Sequence, residues 1–408
     1  MVIPAAVVLS HPEQLVRLRE SSPEAAEVAV LAGDPCIDRM LASRPLRATY
    51  RRALGVRNAE RLVLVSSTWG ASSLFGVDPE LVPRLAARLP LDEYRVVLAL
   101  HPNIWFRHSP WQVRMWLDDC RRAGVRVLPP EEGWQAALVA ADVVLGDHGS
   151  VTFYGAALGH PVLLASTPHE TVDPRSPIAM LLQAVPRLDS GVDLVQQLEA
   201  TIADHDHAGL RQITDLATSS PGDAAALLRS TIYRMLNLPE PSAPAEFRAV
   251  PVPPSEPASV GAQLVEVRLT STSETNVRCD VSRFPADLLR TRDSAPAGAH
   301  LSVDTSEPYR NWLELADIMV LPTAADITPV LATMPGCLLA TAPVGAGEWV
   351  VKLHDGRGIR FRSVTIDGRI CASIVYTWLS AGKRLESFPQ QLSVWTGFTL
   401  STLEAILE

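Results

Sequence analysis

Apolar residues in the first 238 positions fall into two alternating arrangements. Short unbroken runs at Leu62–Ser66, Arg95–Leu100, Val125–Leu128, Val143–Leu145 and Val162–Ala165 have the length and continuity of strands buried on both faces. Between them apolar positions return at helical spacing, over Pro79–Leu89, Trp111–Ala123, Trp134–Ala140 and a segment starting at Ser150. Helices over Pro177–Ala184, Val192–Ala203 and Asp223–Leu236 follow. Gly55 and Gly124 stand where helix C-termini favour glycine, the first after a helix over Leu46–Leu54. Ahead of this block, Ala6–Leu9 reads as a strand, Pro12–Arg19 as a helix capped by Ser10, and Val28–Leu31 as a strand closed by Gly33-Asp34-Pro35. Buried strands alternating with amphipathic helices predict an α/β fold, a doubly wound parallel sheet covered on both faces.

The pattern then changes in kind. Pro239, Pro241, Pro244, Pro251, Pro253, Pro254 and Pro257 lie among Ser, Ala and Glu, a composition that opposes both helix and central strand. Beyond it, alternation at period two marks strands at Gln263–Leu269, Asn276–Ser282 and His300–Asp304, a helix over Tyr309–Ala316, and a strand at Ile318–Leu321. Glu348–His354, Asp355-Gly356, Ile359–Ile366, Asp367-Gly368 and the run from Ile370 read as an antiparallel meander with Asp-Gly hairpin turns. The organisation expected is a short N-terminal segment over residues 1–33, the α/β domain over 34–238, a proline-rich linker over 239–262, and a smaller α+β domain over 263–408.

Composition narrows this picture. An apolar content of 47% fits a globular chain, and no apolar run approaches the ~20 residues of a membrane span. Met1 to Leu9 lacks the basic start of a signal peptide. A formal charge of -9 opposes a general nucleic-acid coat, so no nucleic-acid partner is expected. Cys36, Cys120, Cys279, Cys337 and Cys371 are far apart, with no C-x-x-C pair, the usage of a reducing compartment. A cytoplasmic protein without metal or cofactor is the expectation.

The chain is organised around Ala140-Ala141-Asp142-Val143-Val144-Leu145-Gly146-Asp147-His148-Gly149-Ser150-Val151-Thr152-Phe153-Tyr154. Strand, tight turn and helix leave several N–H groups unpaired above the sheet edge, where an anion can bind. Ser67-Thr68-Trp69-Gly70, His101-Pro102-Asn103, Pro129 to Gly133, Asp147 to Ser150 and Ser166-Thr167 all end strands, and a parallel sheet brings them to one rim. Ser67, Thr68, Glu132, Asp147, His148, Gly149 and Ser150 are the candidate ligand-binding residues. Each has a plainer reading: Ser67 and Thr68 as caps, His101 as a structural histidine, Glu131 and Glu132 as first-turn acids of the helix from Trp134. Trp105 and Trp111 read as packing residues. The dinucleotide fingerprint and the phosphate loop ending in Gly-Lys-Ser/Thr are absent. Ser150 sits where a hydrolase nucleophile would, yet His148 and Thr152 replace the glycines of a strained elbow. Asp204-His205-Asp206-His207 reads as a solvated loop before it reads as a metal site.

Gly33-Asp34-Pro35-Cys36-Ile37-Asp38, the helix through Arg51-Arg52-Ala53-Leu54-Gly55, Leu62 to Trp69, His101-Pro102 and Ala141 to Phe153 together resemble the nucleotide-binding half of CDP-glycerol glycerophosphotransferases. More distantly the stretch is similar to the matching half of UDP-N-acetylglucosamine 2-epimerases. The resemblance spans Val28 to Ala203, about half the chain, and implies one lobe of a two-lobed GT-B fold, with 34–238 as its nucleotide-binding domain and 1–33 as the remnant of a preceding lobe. It implies that His101 contacts a donor diphosphate and that Gly149 and Ser150 hold donor phosphates. The chain departs from the family pattern at Gly149, where a serine is usual, and at Tyr154, where an acid is usual. His11 is the candidate base near the cleft. The function expected is a transferase moving a glycosyl or glycerophosphoryl group from a nucleotide-diphosphate-linked small molecule, with His101 and His11 as its catalytic residues. The alternative is a non-catalytic module that binds such a molecule. An uncovered rim would expose an apolar patch including Trp69, Trp105 and Phe106, from which self-association or capture of a partner chain is expected.

Overall fold

The computed structural model describes residues 3–57, 59–255, 260–271, 277–291 and 298–408. Met1 and Val2, the end of the proline-rich stretch at Pro257 and the expected strand start at Asn276 lie outside them. Strands β1 (Val7–Leu9) and β2 (Ala29–Leu31) form a separate two-stranded parallel sheet. The main sheet holds β3 (Arg61–Ser67), β4 (Tyr94–Leu100), β5 (Arg126–Val127), β6 (Val143–Gly146) and β7 (Val162–Leu164), all parallel in the order β5-β4-β3-β6-β7. Every residue of β4 and β6 is buried, which is why these strands read as continuous apolar runs. Two apolar layers cover the faces: Leu81, Leu85, Leu117 and Leu198 on one, and Met40, Tyr50, Leu138 and Leu181 on the other. The chain leaves β3 toward β4 and β5, then returns to place β6 on the other side of β3. The switch point of the topology therefore lies between β3 and β6, where such sheets open a crevice.

The proline-rich stretch forms no helix or strand among its described residues, and part of it is docked. Val250 is buried, its N–H donates to Ser43 Oγ (2.9 Å), and its carbonyl accepts from Tyr50 Oη (2.7 Å). Arg39 donates to the Arg248 and Ala249 carbonyls, and Arg126 to that of Pro254.

The last third corrects the expected meander. Strands β8 (Ala262–Ser271), β9 (Val277–Pro285), β10 (His300–Asp304), β11 (Ile318–Val320), β12 (Leu339–Gly345), β13 (Glu348–Leu353), β14 (Gly358–Arg362), β15 (Gln391–Thr396) and β16 (Thr399–Leu407) close into a nine-stranded barrel. Only part of it is antiparallel; β10, β11 and β12 run parallel, as do β9 and β15. Asp355-Gly356 does turn between β13 and β14. Asp367-Gly368 instead opens a helix, Gly368–Ser380, with the Asp367 carboxylate accepting from the Ile370 N–H (3.1 Å). That helix packs on β8 and on β10 to β13, and its Ile370, Ile374 and Val375 share the barrel core with Val265, Ile318, Leu339 and Val351. At Gly368 a Cβ would fall 2.2 Å from Trp349, so only glycine admits the helix so close to β13.

The barrel contains an acid-sensitive group. His300 is 1% exposed, and its ring stacks on Tyr376 at 4.3 Å. Burial lowers its pKa to about 4. The unfolded chain, with an ordinary value of ~6.5, binds the proton first as pH falls. Stability from this group is complete above pH ~6.5 and is lost as pH falls toward 4, by about 2 kcal/mol at pH ~5. His300→Phe keeps the stacked ring and removes the titration. Urea unfolding at neutral pH and near pH ~5 should show a smaller acid loss in the variant; equal losses would show that His300 is not responsible.

The barrel meets the α/β domain at the amino ends of the sheet strands. Arg283 of β9 pairs with Asp92, two residues before β4, and Arg122 pairs with Asp287 and Glu307. The opposite end, where the carboxyl ends of the strands collect, faces away from the barrel.

Candidate functional site

Between the loops that follow β3, β4, β5 and β6 lies a cavity of about 270 Å³. Ser66, Ser67, Thr68, His101, Gly149 and Ser150 contribute polar groups to its lining, and Ala99, Leu100, Pro102, Pro129, Pro130, Trp134 and Val151 contribute apolar ones. It sits at the switch point. The sequence-predicted residues Ser67, Thr68, His101, Gly149 and Ser150 meet in it. Asp147 lies beneath them, His148 faces a neighbouring cavity, and Glu132 and His11 line neither.

Asp147 is fully buried, and its carboxylate is spent on the protein itself. Oδ2 accepts from the N–H groups of Thr68 (2.9 Å) and Leu74 (2.8 Å), and Oδ1 from that of Gly149 (3.0 Å). Ser67 Oγ, also buried, accepts from Phe75 N–H (2.9 Å) and donates to the Thr68 carbonyl. These two side chains fasten the β3 and β6 loops together and leave nothing to offer a ligand. At Gly149 a Cβ would lie 3.1 Å from Asp147 Oδ1 and 3.2 Å from Thr68 Cβ. A serine there would need its neighbours to give by a few tenths of an ångström.

The groups still open to a ligand are fewer. Thr68 and Ser150 hydroxyls make no hydrogen bond among the described residues. Gly149 is the N-cap of the eight-residue helix Ser150–Ala157 and supplies no side-chain cap, so the first-turn N–H groups face the cleft without a partner from it. His101 is the N-cap of the helix Pro102–His108; its Nδ1 accepts from Asn103 N–H at 3.1 Å. That bond fixes the neutral tautomer with the proton on Nε2. Burial lowers the His101 pKa, with the Asp147 charge acting the other way, so the neutral ring presents Nε2–H as a donor. Among the described residues no lysine or arginine lines this cavity.

Ser150 also borders a second cavity of about 340 Å³, lined by Ser10, Gln14, Arg17, Asp34, His148, Phe153, Tyr154 and Ser176 among others. His148 Nδ1 is buried there with no hydrogen-bond partner among the described residues. Arg17 is held by Glu13 (2.8 Å) and Asp173 (3.3 Å). Tyr154 donates to Asp34 Oδ2 (2.7 Å) and stacks on Trp134, and burial followed by the Asp34 contact raises its pKa. His11 caps the helix Pro12–Ser21, its Nδ1 accepting from Glu13 N–H (3.2 Å). Glu132 is exposed. The sequence places Pro129 and Pro130 on this rim, and the structure adds Trp134, at the start of the following helix, to the cavity lining.

No protein-family model matches this chain, and no curated protein sequence does. Among solved structures the chain is similar to the wall teichoic acid polymerase TagF, at 12% identity over 57% of this chain and 56% of that one, with a TM-score of 0.40. It is similar to the UDP-GlcNAc 2-epimerase from Neisseria meningitidis bound to UDP-GlcNAc, at 15% identity over 56% and 61%, TM-score 0.35. Anabaena Alr3699/HepE in complex with UDP-glucose matches at 15% identity over 57% and 64%, TM-score 0.32. The chain thus spans less than two thirds of the length of each.

Proposed function

We propose that the α/β domain binds a nucleotide-diphosphate-linked small molecule in the cleft at the β3–β6 switch point, as a binding module. The observation that carries this reading is the mixed lining of the cavity. It offers donors that the fold leaves open: the first-turn N–H groups from Ser150 onward, the Thr68 and Ser150 hydroxyls and His101 Nε2–H. It also offers the apolar surface of Ala99, Pro129, Pro130 and Trp134. A phosphate suits the first set and a flat base the second. Binding is preferred to turnover because neither expected catalytic histidine is an open base here. His101 is held as a donor, and the His11 ring caps a helix away from the cavity lining.

Transfer chemistry remains as the second reading on one specific observation. Ser150 borders both cavities, and the second holds the unpartnered His148 Nδ1, so a donor and an acceptor could meet across Ser150. Incubation with radiolabelled UDP-, CDP- and GDP-linked donors separates the readings: saturable binding without turnover supports the module, and turnover supports the transferase.

Ser150→Asp tests the site itself. The carboxylate would repel a phosphate and cap the same N–H groups, two effects in one direction. Affinity for UDP or CDP is expected to fall about tenfold or more, a loss of about 1.5–3 kcal/mol, with the thermal midpoint kept or raised. Calorimetric titration beside thermal melts decides it. Equal affinity in two equally folded proteins would move the site elsewhere.

A further inference from the structure

The apolar patch at the rim differs from the one expected. Trp105 is 3% exposed and packs in the core, while Phe106 (68%) and Trp111 (71%), the second expected to pack, stand out. A larger cavity, of about 640 Å³, lies on the outer edge of the main sheet beside β7 and shares no lining residue with the two at the rim. The end of the helix Pro177–Ala184, the helix Leu194–Ala203 and the loop after it form its walls.

Its floor is an incomplete strand edge. Val144 N–H donates to the Pro161 carbonyl (2.9 Å) and Ala165 N–H to the Gly146 carbonyl (2.8 Å), so these odd-numbered positions of the β7 segment face β6. Alternation along the ladder turns the main-chain groups of Val162 and Leu164 to the outer side. Leu164 is paired there: its N–H donates to the Pro186 carbonyl (2.9 Å) and its carbonyl accepts from Leu188 N–H (2.8 Å). Residues 186–188 thus run parallel to β7 as a short added strand. The Val162 N–H and C=O have no such partner among the described residues, and Val162 lines the cavity. An open donor and acceptor on a strand edge are what an extended main chain satisfies.

The two ends of this edge carry opposite charges. Arg187 stands beside Leu164 at the carboxyl end. Its Nη2 contacts His169 Nε2 (2.8 Å) and the Leu182 carbonyl (3.0 Å), and it makes no ion pair among the described residues. At the amino end His205 Nε2 lies 3.1 Å from the Gly159 carbonyl, which keeps the loop from Asp204 to Asp206 there. Asp204 is the C-cap of the ten-residue helix Leu194–Ala203, whose last turn holds no basic residue. A carboxylate is unfavourable at the negative end of a helix, and Asp204 is exposed without an ion pair among the described residues. A cation placed there would answer both the carboxylate and the dipole. Among the described residues no three His, Cys, Asp or Glu side chains converge to hold a metal ion, so Asp204-His205-Asp206-His207 is not a metal centre. At about 3.3 Å per residue the stretch from Gly159 to Leu164 spans at most roughly 16 Å, and with the place beside Leu164 taken it leaves room for about three residues.

We propose that this cavity binds a short peptide with free ends, about three residues long, extended and parallel to β7. Its carboxylate meets Arg187, its main chain pairs with Val162, and its ammonium meets Asp204. The probe is Ala-Val-Ala, titrated calorimetrically into the full chain, and saturable binding is expected. N-acetylation or C-amidation should each weaken binding about tenfold or more, as the loss of a charge-assisted bond does. Arg187→Gln should weaken the free peptide by a similar factor and leave affinity for the amidated one unchanged. Asp204→Asn should weaken the free peptide and leave affinity for the acetylated one unchanged. Arg310→Gln, at an exposed residue on the barrel domain, should change nothing. The three substituted side chains are exposed, so equal thermal melts will show that folding is kept. Hydrogen exchange at the Val162 amide should slow when the peptide saturates the protein. The proposal is overturned if Ala-Val-Ala does not bind at millimolar concentration, if the blocked peptides bind as tightly as the free one, or if alanine alone binds as tightly as the tripeptide. Equal exchange at Val162 with and without peptide would overturn it as well.

Discussion

Arg283→Ala is expected to destabilise the chain by about 3–5 kcal/mol, because it leaves a buried carboxylate unpaired between two domains. Arg283 is buried and grips Asp92 with two parallel bonds, Nε to Oδ2 at 2.7 Å and Nη2 to Oδ1 at 2.5 Å. Its third arm reaches Asp367 Oδ2 at 2.9 Å, at the start of the barrel's helix. Burial alone would lower the Arg283 pKa, but the Asp367 and Asp92 carboxylates more than reverse this and hold the guanidinium charged. Arg57 approaches Asp92 at 3.5 Å from a more exposed position and is a poor substitute. Replacing both partners should cost less than replacing one, since Arg283→Met with Asp92→Leu removes the charges together and keeps much of the volume. Asp367 would then keep the Ile370 N–H as its donor, and its side chain is half-exposed. Urea unfolding followed by two spectroscopic probes should give one transition in the wild type and separated transitions in Arg283→Ala. A loss below about 1 kcal/mol would mean that the interface rests elsewhere, on Arg122 with Asp287 and Glu307.

The same pairing shows why the architecture was only partly legible in the sequence. The parallel sheet was readable because β3, β4 and β6 are apolar on both faces and their helices are amphipathic, so local pattern and global fold agree. The barrel was not, because its closure depends on partners far apart in sequence, β9 with β15 and β14 with β16. Asp367-Gly368 fits a hairpin turn or a helix start equally well, and the following run misleads. Ile370, Cys371, Ala372, Ile374 and Val375 are buried around most of the helix, so the one-sided stripe that identifies a surface helix is missing. Similarly, topology alone brings the candidate residues to one rim, because every parallel strand ends there. The division of labour within it was not visible. Whether an Asp or Ser near a ligand site touches the ligand or the neighbouring loop depends on backbone geometry that no residue type declares. Phe106 and Trp105 are adjacent in sequence and opposite in exposure for the same reason: a helix turns them to different faces.

Asp147 offers the sharpest test of that division. Its carboxylate satisfies the N–H groups of Thr68, Leu74 and Gly149 in a fully buried position. Asp147→Ala strips all three donors of their acceptor and is expected to cost about 3–5 kcal/mol, since each buried donor left unpaired costs about 1–3 kcal/mol and the loops will relax in part. Asp147→Asn retains one carbonyl oxygen, which can keep the Thr68 and Leu74 bonds, but turns an NH₂ toward the Gly149 N–H. About half the loss is expected there. Affinity for UDP should fall in both variants, because the β3 and β6 loops that hold Thr68 and Ser150 in place lose their common tie. A carboxylate that faced the ligand would behave in the opposite way. Neutralising it would relieve repulsion with a phosphate, strengthen binding and cost little stability. Urea unfolding and calorimetric titration of the two variants separate these outcomes: stability and affinity falling together assign Asp147 to the loops, whereas tighter UDP binding in a stable Asp147→Asn protein would return it to the ligand.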